Sequence, residues 1–533
     1  MAKPVFLGKL VLHWCNVCNV PVLDETCSCG AKTNFVSVTP PGDIRPAFPY
    51  DVTRINDVSV RQFGKKLIAE DDFVLYNKAP YEDRMEEIIC GGAVIGALRY
   101  EVEKREWVLL LRLEGARRIF NPKISSTAED LEKGILKNWI MIQEGAVPFI
   151  ADGTSVLVPG ILKTAPGIRL EDEVVVISPS FDVVAAGRAK MSSAEMAQSE
   201  RGKAVKNRWS GFPVESEPPV FDSVSDSDSV SDSVSVSDSD SFSQKTESVA
   251  KKWEKVVLAN RNVLHQFEAD SMLFIQNAAA NVHKKVTCSY SGGKDSLVTL
   301  HLVNKASKTP SGEKLFDFDI LFSDTGLEFI ETLQNVAEVA KIYGHPLKEI
   351  SAGNVFWDGF LVHGPPRVDD RWCTQSCKLM PITSLIESNY LDDGGCLTFI
   401  GQRQYESLAR AKSQRIWKSP SVQGQVGAAP IQEWTALHIW LYIFQENLHY
   451  NPLYEKGFDR IGCWLCPAAS LADFENLRIT HPDAMKMWDG KLLEYAQQKN
   501  IPHPQDWISF GLWRFLTYSP AMEKLAREKG IIE

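Results

Sequence analysis

Six residues, Ser291-Gly292-Gly293-Lys294-Asp295-Ser296, constrain this chain more than any other stretch. The run Val286-Thr287-Cys288-Ser289-Tyr290 reads as a buried strand leading into them, and Leu297, Val298, Leu300, Leu302 and Val303 continue with a helical apolar pattern. A strand that turns on two glycines and opens a helix gathers backbone N–H groups around one point. The glycines allow close approach of a ligand, and the helix N-terminus favours negative charge. Lys294 adds a mobile cation, and Ser291 and Ser296 add hydroxyl donors. The stretch is a phosphate cradle. It is not the Walker-type loop, which needs four residues between Gly and Gly-Lys-[Ser/Thr].

Two more strands end in polar motifs. Phe316 to Phe322 runs into Ser323-Asp324-Thr325-Gly326, and Cys396 to Ile400 runs into Gly401-Gln402-Arg403-Gln404-Tyr405-Glu406-Ser407. A helical pattern with Leu333, Val336, Val339 and Ile342 follows the first of these. Strands alternating with helices predict a mainly parallel sheet with its ligand at the strands' C-terminal ends, where all three motifs fall.

The 533 residues are too many for one core and suggest about three or four domains. The expected fold class is multidomain: a small zinc ribbon, an α/β module, a β-barrel, and a C-terminal α/β domain with a mainly parallel sheet. No apolar run approaches the ~20 residues of a membrane span, and the N-terminus lacks a signal-peptide apolar region, so a cytoplasmic protein without membrane contact is expected. A net charge of −10 argues against indiscriminate coating of nucleic acid. Eleven cysteines in such a chain point to metal or redox chemistry rather than disulfides.

Cys15, Cys18, Cys27 and Cys29 could close a tetrahedral site, and residues 1–35 resemble a zinc ribbon. Residues 36–143 read as an α/β module of unassigned role, with strands near Val94–Tyr100 and Trp107–Arg112. Within 144–212 the Val158-Pro159-Gly160 turn, the strand Glu173–Ile177 and the Gly187-Arg188-Ala189 strand resemble a PUA domain, a small barrel that usually binds structured RNA. Arg201, Lys203, Lys206 and Arg208 beside it would suit phosphate contacts. Residues 213–249, almost wholly Ser, Asp and Val at their centre, read as a disordered acidic linker. The catalytic α/β module covers 250–480, and a helical extension covers 481–533.

Ser291–Ser296, Asp324-Thr325-Gly326, Gly401-Gln402-Arg403 with Glu406-Ser407, Pro430-Ile431…Trp434-Thr435, and Asn451-Pro452-Leu453-Tyr454 running into Cys463-Trp464-Leu465-Cys466-Pro467 together resemble the phosphoadenylyl-sulfate (PAPS) reductase family of the PP-loop ATP-pyrophosphatase superfamily. The whole arrangement is similar to archaeal members that carry zinc-ribbon and PUA extensions. The resemblance implies that Ser291, Gly292, Gly293, Lys294, Asp295 and Ser296 hold a phosphate or phosphosulfate. It also implies that Asp324, Thr325 and Gly326 line the nucleotide pocket, and that Arg403 clamps anionic oxygens, with Gly401, Glu406 and Ser407 shaping its loop. Lys294 and Arg403 are the implied catalytic pair.

Cys373, Cys377, Cys463 and Cys466 resemble the [4Fe–4S] ligands of adenylyl-sulfate reductases, though three residues separate the first pair here; zinc would suit the same thiolates. Family reductases attack sulfur with a cysteine on a C-terminal tail, and residues 467–533 contain none. Cys288 and Cys396 are candidate replacements that read as buried. The expected activity is reduction of PAPS or APS to sulfite, with a thioredoxin- or ferredoxin-type donor. The alternatives are ATP-dependent thiolation of RNA through adenylation, and a nonenzymatic RNA-binding protein.

Overall fold

A computed structural model describes residues 6–120, 126–212 and 238–533. His13–Cys15 pairs antiparallel with both Val20–Val22 and Asn34–Phe35, forming a three-stranded sheet around the first four cysteines. A second sheet is a five-stranded antiparallel meander from Ile44–Pro46 to Glu106–Leu111, covered by the helix Pro49–Phe63. The expected hairpin is present as Ala93–Glu101 against Glu106–Leu111.

The third sheet has six strands and contains Glu173–Ile177, Val183–Ala189 and Lys203–Ser210. The strand Trp139–Ile142, which the sequence reading left in the preceding module, belongs here. It runs parallel to Glu173–Ile177 and antiparallel to Ile161–Thr164. One buried apolar cluster joins this sheet to the meander.

The acidic linker expected over 213–249 lies in part outside the described residues, which resume at 238. There helix α1 (Asp238–Val282) begins, so the end of the expected linker is helical. Gln, Lys and Glu replace the Ser/Asp repeat from Gln244 onward, and these are good helix formers. Further along α1, Trp253, Val256, Asn260 and Leu264 recur at helical spacing and are buried.

The last sheet positions the site. Its strands are β1 (Lys285–Ser289), β2 (Phe318–Asp324), β3 (Leu347–Ser351), β4 (Cys396–Phe399), β5 (Ile416–Lys418) and β6 (Gln425–Ala428). They lie in the order β3-β2-β1-β4-β6-β5, with every neighbouring pair parallel except β5 and β6. Helix α2 (Lys294–Ala306) packs on it, α3 (Ile330–Tyr343) follows β2, and α4 (Ala436–Gln445) follows β6 and packs against α1, α2 and the meander strand Ile44–Pro46. The order of connection reverses between β1 and β4, and that switch point is where a parallel α/β sheet opens a crevice.

Beyond residue 470 the chain is helical, at Leu471–Thr480, Pro482–Gln498, Pro504–Ser509 and Pro520–Glu528. A single large core runs from Trp14 and Val20 of the first sheet through Trp253 and Val256 of α1 to Leu297 of α2 and Trp488 of the C-terminal helices. Among the described residues, no helix is long and apolar enough to cross a membrane.

Candidate functional site: a PP-loop beside a cysteine cluster

The loop forms because β1 must turn within four residues, Tyr290 to Gly293, into α2. Gly292 takes φ +72°, and a Cβ there would meet Thr332 Cγ2 at 2.7 Å, so only glycine fits the turn. Gly293 is the residue before the helix. Ser296 Oγ accepts from the Ser291 N–H at 3.2 Å and donates to the Gly293 carbonyl at 2.9 Å, which fixes the loop from within. The Lys294 N–H donates to Tyr454 Oη at 2.9 Å, and Asn451 donates to Thr332 at 3.0 Å behind the loop.

The Gly401–Ser407 loop closes the crevice from β4. A Cβ on Gly401 would lie 2.6 Å from the Ser296 nitrogen, so the two loops touch backbone to backbone at the switch point. Glu406 Oε2 accepts from the Arg403 N–H at 2.8 Å, and Ser407 Oγ caps the short helix that follows by accepting from Arg410 N at 3.2 Å. These two side chains shape the loop.

Lys294 and Arg403 meet on one carboxylate. Lys294 Nζ lies 2.6 Å from Asp295 Oδ2, and Arg403 Nε donates to Asp295 Oδ1 at 2.6 Å. Burial pushes the Asp295 carboxyl up, but the two cations outweigh it and hold the group below the usual carboxylate range. Arg403 is 2% exposed. Its Nη1 and Nη2 also grip Asp43 at 2.7 and 2.9 Å, and Nη1 reaches the Trp434 carbonyl at 3.4 Å. The sequence reading had this guanidinium clamping ligand oxygens. In the fold four of its five N–H groups face Asp295, Asp43 and the Trp434 carbonyl, contacts that motif spacing cannot reveal.

At the end of β2, Asp324 accepts from the Gly326 N–H at 2.8 Å and from Ser351 Oγ at 2.7 Å. Thr325 Oγ1 donates to Glu328 Oε1 at 2.9 Å and lies 3.2 Å from Cys463 Sγ. A hydroxyl has one proton, so with that proton on Glu328 the thiol is the donor in the second contact. Burial, then Glu328, raises the Cys463 thiol to about 12, against the opposing pull of Thr325 and Lys378. Cys373 is raised to about 11, by burial first and then by Cys377 and Cys466.

Cys373 and Cys377 lie on a helical turn that widens to π geometry over Gln375–Leu379, while Cys463 and Cys466 lie on the loop after Phe458. Cys373 feels the charge of Cys377 and Cys466, and Cys463 feels that of Cys466. Among the described residues, however, only Cys15, Cys18, Cys27 and Cys29 bring three or more ligand atoms within 4.8 Å of one another.

In that first group the Cys15–Cys29 and Cys18–Cys27 sulfurs are 3.8 and 4.0 Å apart. A Zn–S bond of about 2.3 Å places tetrahedral thiolates roughly 3.8 Å apart, so these four could hold a single metal ion. Cys288 and Cys396 are buried in β1 and β4, and burial raises both thiols. Neither is an accessible nucleophile.

Sequence reasoning missed Asp43, Thr332, Asn451, Tyr454 and Asp459. Burial pushes the Asp459 carboxyl up, but Lys78, Arg84, Arg45 and Lys294 together hold it below its ordinary value. Asn451 and Tyr454 stood in a quoted motif without an assigned role. Asp43 is 360 positions from Arg403, and no local pattern marks it.

On the PUA-like sheet, Arg208 pairs with Glu173 at 2.6 and 2.9 Å, so it is not a free cation, whereas Lys203 is exposed.

Comparison with known proteins agrees with this geometry. Residues 285–469 match the model of the phosphoadenosine phosphosulfate reductase domain, and residues 138–209 match that of the PUA domain. An uncharacterized protein of Methanocaldococcus jannaschii is 36% identical over 514 residues, covering 96% of this chain and 97% of its own. Sulfate adenylyltransferase subunit 2 of Pseudoalteromonas translucida is 31% identical over 36% of this chain and 67% of its own. Adenosine 5'-phosphosulfate reductase 1 of Bacillus subtilis is 27% identical over 36% of this chain and 77% of its own. With its PP-loop at the switch point, its matched domain and a relative aligned almost end to end, the chain belongs to the phosphoadenosine phosphosulfate reductase family of PP-loop proteins, in a multidomain form that adds a PUA domain and an N-terminal four-cysteine cluster.

Proposed function

We propose that the PP-loop domain binds an adenosine nucleotide bearing a phosphosulfate group and reduces it to sulfite. The observation that carries this reading is the 3.2 Å contact between Cys463 Sγ and Thr325 Oγ1, which sets a thiol against the strand end beside the nucleotide crevice. Ser291, Gly292, Gly293, Asp295 and Ser296 would cradle the anion through backbone N–H groups and hydroxyls. Lys294 would turn from Asp295 to the ligand's oxygens. Asp324, Thr325 and Gly326 would line the nucleoside side, and Gly401, Glu406 and Ser407 would shape the facing wall. The O–S bond takes up two electrons from a thioredoxin- or ferredoxin-type donor, sulfite leaves, and the nucleotide phosphate keeps the bridging oxygen.

Cys15, Cys18, Cys27 and Cys29 would hold zinc in a structural site. Cys373, Cys377, Cys463 and Cys466 would hold a [4Fe–4S] cluster, and their looser grouping suits a polynuclear centre better than one ion. When bound, such a cluster supplies redox-active iron next to the anionic sulfur group.

A second reading, thiolation of RNA, is favoured by the PUA domain and by the lack of a cysteine in residues 467–533. There ATP would adenylate a base carbonyl and release pyrophosphate, and a sulfide would displace AMP. Calorimetric titration with APS, PAPS and ATP tests the shared premise. Lys294→Ala should weaken the preferred nucleotide by roughly tenfold or more, as expected for loss of a charge-assisted contact. Equal affinity in the variant would refute the assigned cradle. RNA-dependent release of AMP and pyrophosphate from ATP would replace the reductase with the second reading.

A further inference from the structure

One carboxylate from outside the PP-loop domain reaches into the site. Asp43 follows the turn Pro40-Pro41-Gly42 and precedes the first strand of the antiparallel meander. It binds the Arg403 guanidinium through both oxygens, at 2.7 and 2.9 Å. The same Oδ1 accepts from the Ala436 N–H at 2.7 Å, at the first residue of α4, where a helix end favours negative charge. Arg403 in turn holds Asp295, and Asp295 holds Lys294. The result is an alternating chain of four charges, two negative and two positive, from the N-terminal module to the tip of the phosphate cradle. A second contact pins the same loop: Tyr405 Oη donates to the Lys9 carbonyl at 2.9 Å.

We propose that Asp43 is a positioning residue that completes the anion site, holding Arg403 off the ligand and against Asp295 so that Lys294 and the start of α2 meet the anion. The N-terminal module is then part of the nucleotide site, and the PP-loop domain alone has an unsupported cradle. This rests on the reading of the PP-loop as a nucleotide site.

Two physical expectations diverge here, which makes the proposal testable. If Asp43 acted only through its charge, removing it would make the surroundings more positive and tighten anion binding. If it positions Arg403, removing it releases a buried guanidinium from its bidentate partner, Asp295 is no longer held in place, and binding weakens.

The experiment uses the full-length protein and Asp43→Asn, which keeps the shape and removes the charge. APS and ATP are titrated by calorimetry, and hydrogen exchange is followed in the unliganded protein. The expected result is roughly tenfold weaker nucleotide binding. Faster exchange should appear across 290–297 and 401–407, with exchange across the PUA domain unchanged. Asp43→Glu retains the carboxylate and should bind more tightly than Asp43→Asn, whereas a pure packing role would make the longer side chain the worse of the two. Unchanged or tighter binding with unchanged exchange in both loops would overturn the proposal. If the unaltered protein binds neither nucleotide, the cradle reading itself has failed. The exchange pattern then still decides whether Asp43 positions the loops.

Discussion

Lys294, Asp295, Arg403 and Asp43 show how a residue's role depends on what its neighbours have already satisfied. Burying a guanidinium is costly unless its charge and its donors are met, and two carboxylates meet them here. Burial alone would lower the Arg403 pKa, but Asp295 and Asp43 raise it, so the residue is a fixed cation that organises anionic side chains. A different carboxylate offers a test in acid. Glu331 is held at about 2, chiefly by its hydrogen bond from His481 and also by Lys456, against the opposing effect of burial. A carboxyl depressed in the folded state stabilises the fold above its unfolded pKa of about 4.3, and that contribution is lost as pH falls toward 2. Glu331→Gln should therefore flatten part of the stability loss between about pH 4.3 and 2, read by denaturant titration at each pH. An identical acid limb in the variant would show that the pairing contributes nothing. The turn between β1 and α2 was legible in the sequence because six adjacent residues, Ser291 to Ser296, specify it. Asp43 was not legible, because its contact with Arg403 spans 360 positions of the chain.

Elements place these residues through their order and their packing. The β3-β2-β1-β4 order sets the loops after β1 and β4 side by side, and the absence of a side chain on Gly401 lets them touch. The alternation of apolar runs and helical patterns made β1, β2 and β4 readable, whereas β3, β5 and β6, short and partly exposed, were not read. The strand Trp139–Ile142 was misplaced, because its partners come later in the chain and a four-residue apolar run does not declare its sheet. The cysteine-bearing three-stranded sheet is seated on α1. Asn260 accepts from the Leu23 N–H at 2.7 Å and donates to the Pro21 carbonyl at 3.0 Å, and the Ser28 N–H reaches the Ala259 carbonyl at 3.0 Å. Metal held by Cys15, Cys18, Cys27 and Cys29 would hold that seat as well. Treating the metal-loaded protein with a chelator should lower its thermal midpoint and expose the amides of Leu23 and Ser28 to exchange. Retained protection at both amides would mean that the sheet stands without metal.

At the scale of the molecule, two large cores divide the work, with a small third cluster around Leu321, Ile386 and Cys396. One joins the antiparallel meander to the PUA domain. The other fuses the cysteine sheet, α1, the PP-loop sheet and the C-terminal helices. The meander contributes Phe48, Leu75 and Tyr100 to the second core, with Phe48 edge-on to Trp440 at 4.9 Å, and adds ion pairs there, Arg84 with Asp473 at 2.7 Å and Asp43 with Arg403. This continuity gives the extensions a physical reason to influence the site, since Asp43 of the N-terminal module already reaches Arg403 in it.

The proposed reaction requires the nucleotide cradle and Cys463, as a ligand of the proposed cluster, to act as one sulfur-handling site. Anaerobic sulfite release tests it most directly, using full-length protein of known metal content with APS or PAPS and a strong reductant. The account predicts sulfite from the unaltered protein and its loss in both Lys294→Ala and Cys463→Ser. No sulfite from protein with its metal sites filled, or sulfite undiminished in Cys463→Ser, would contradict it.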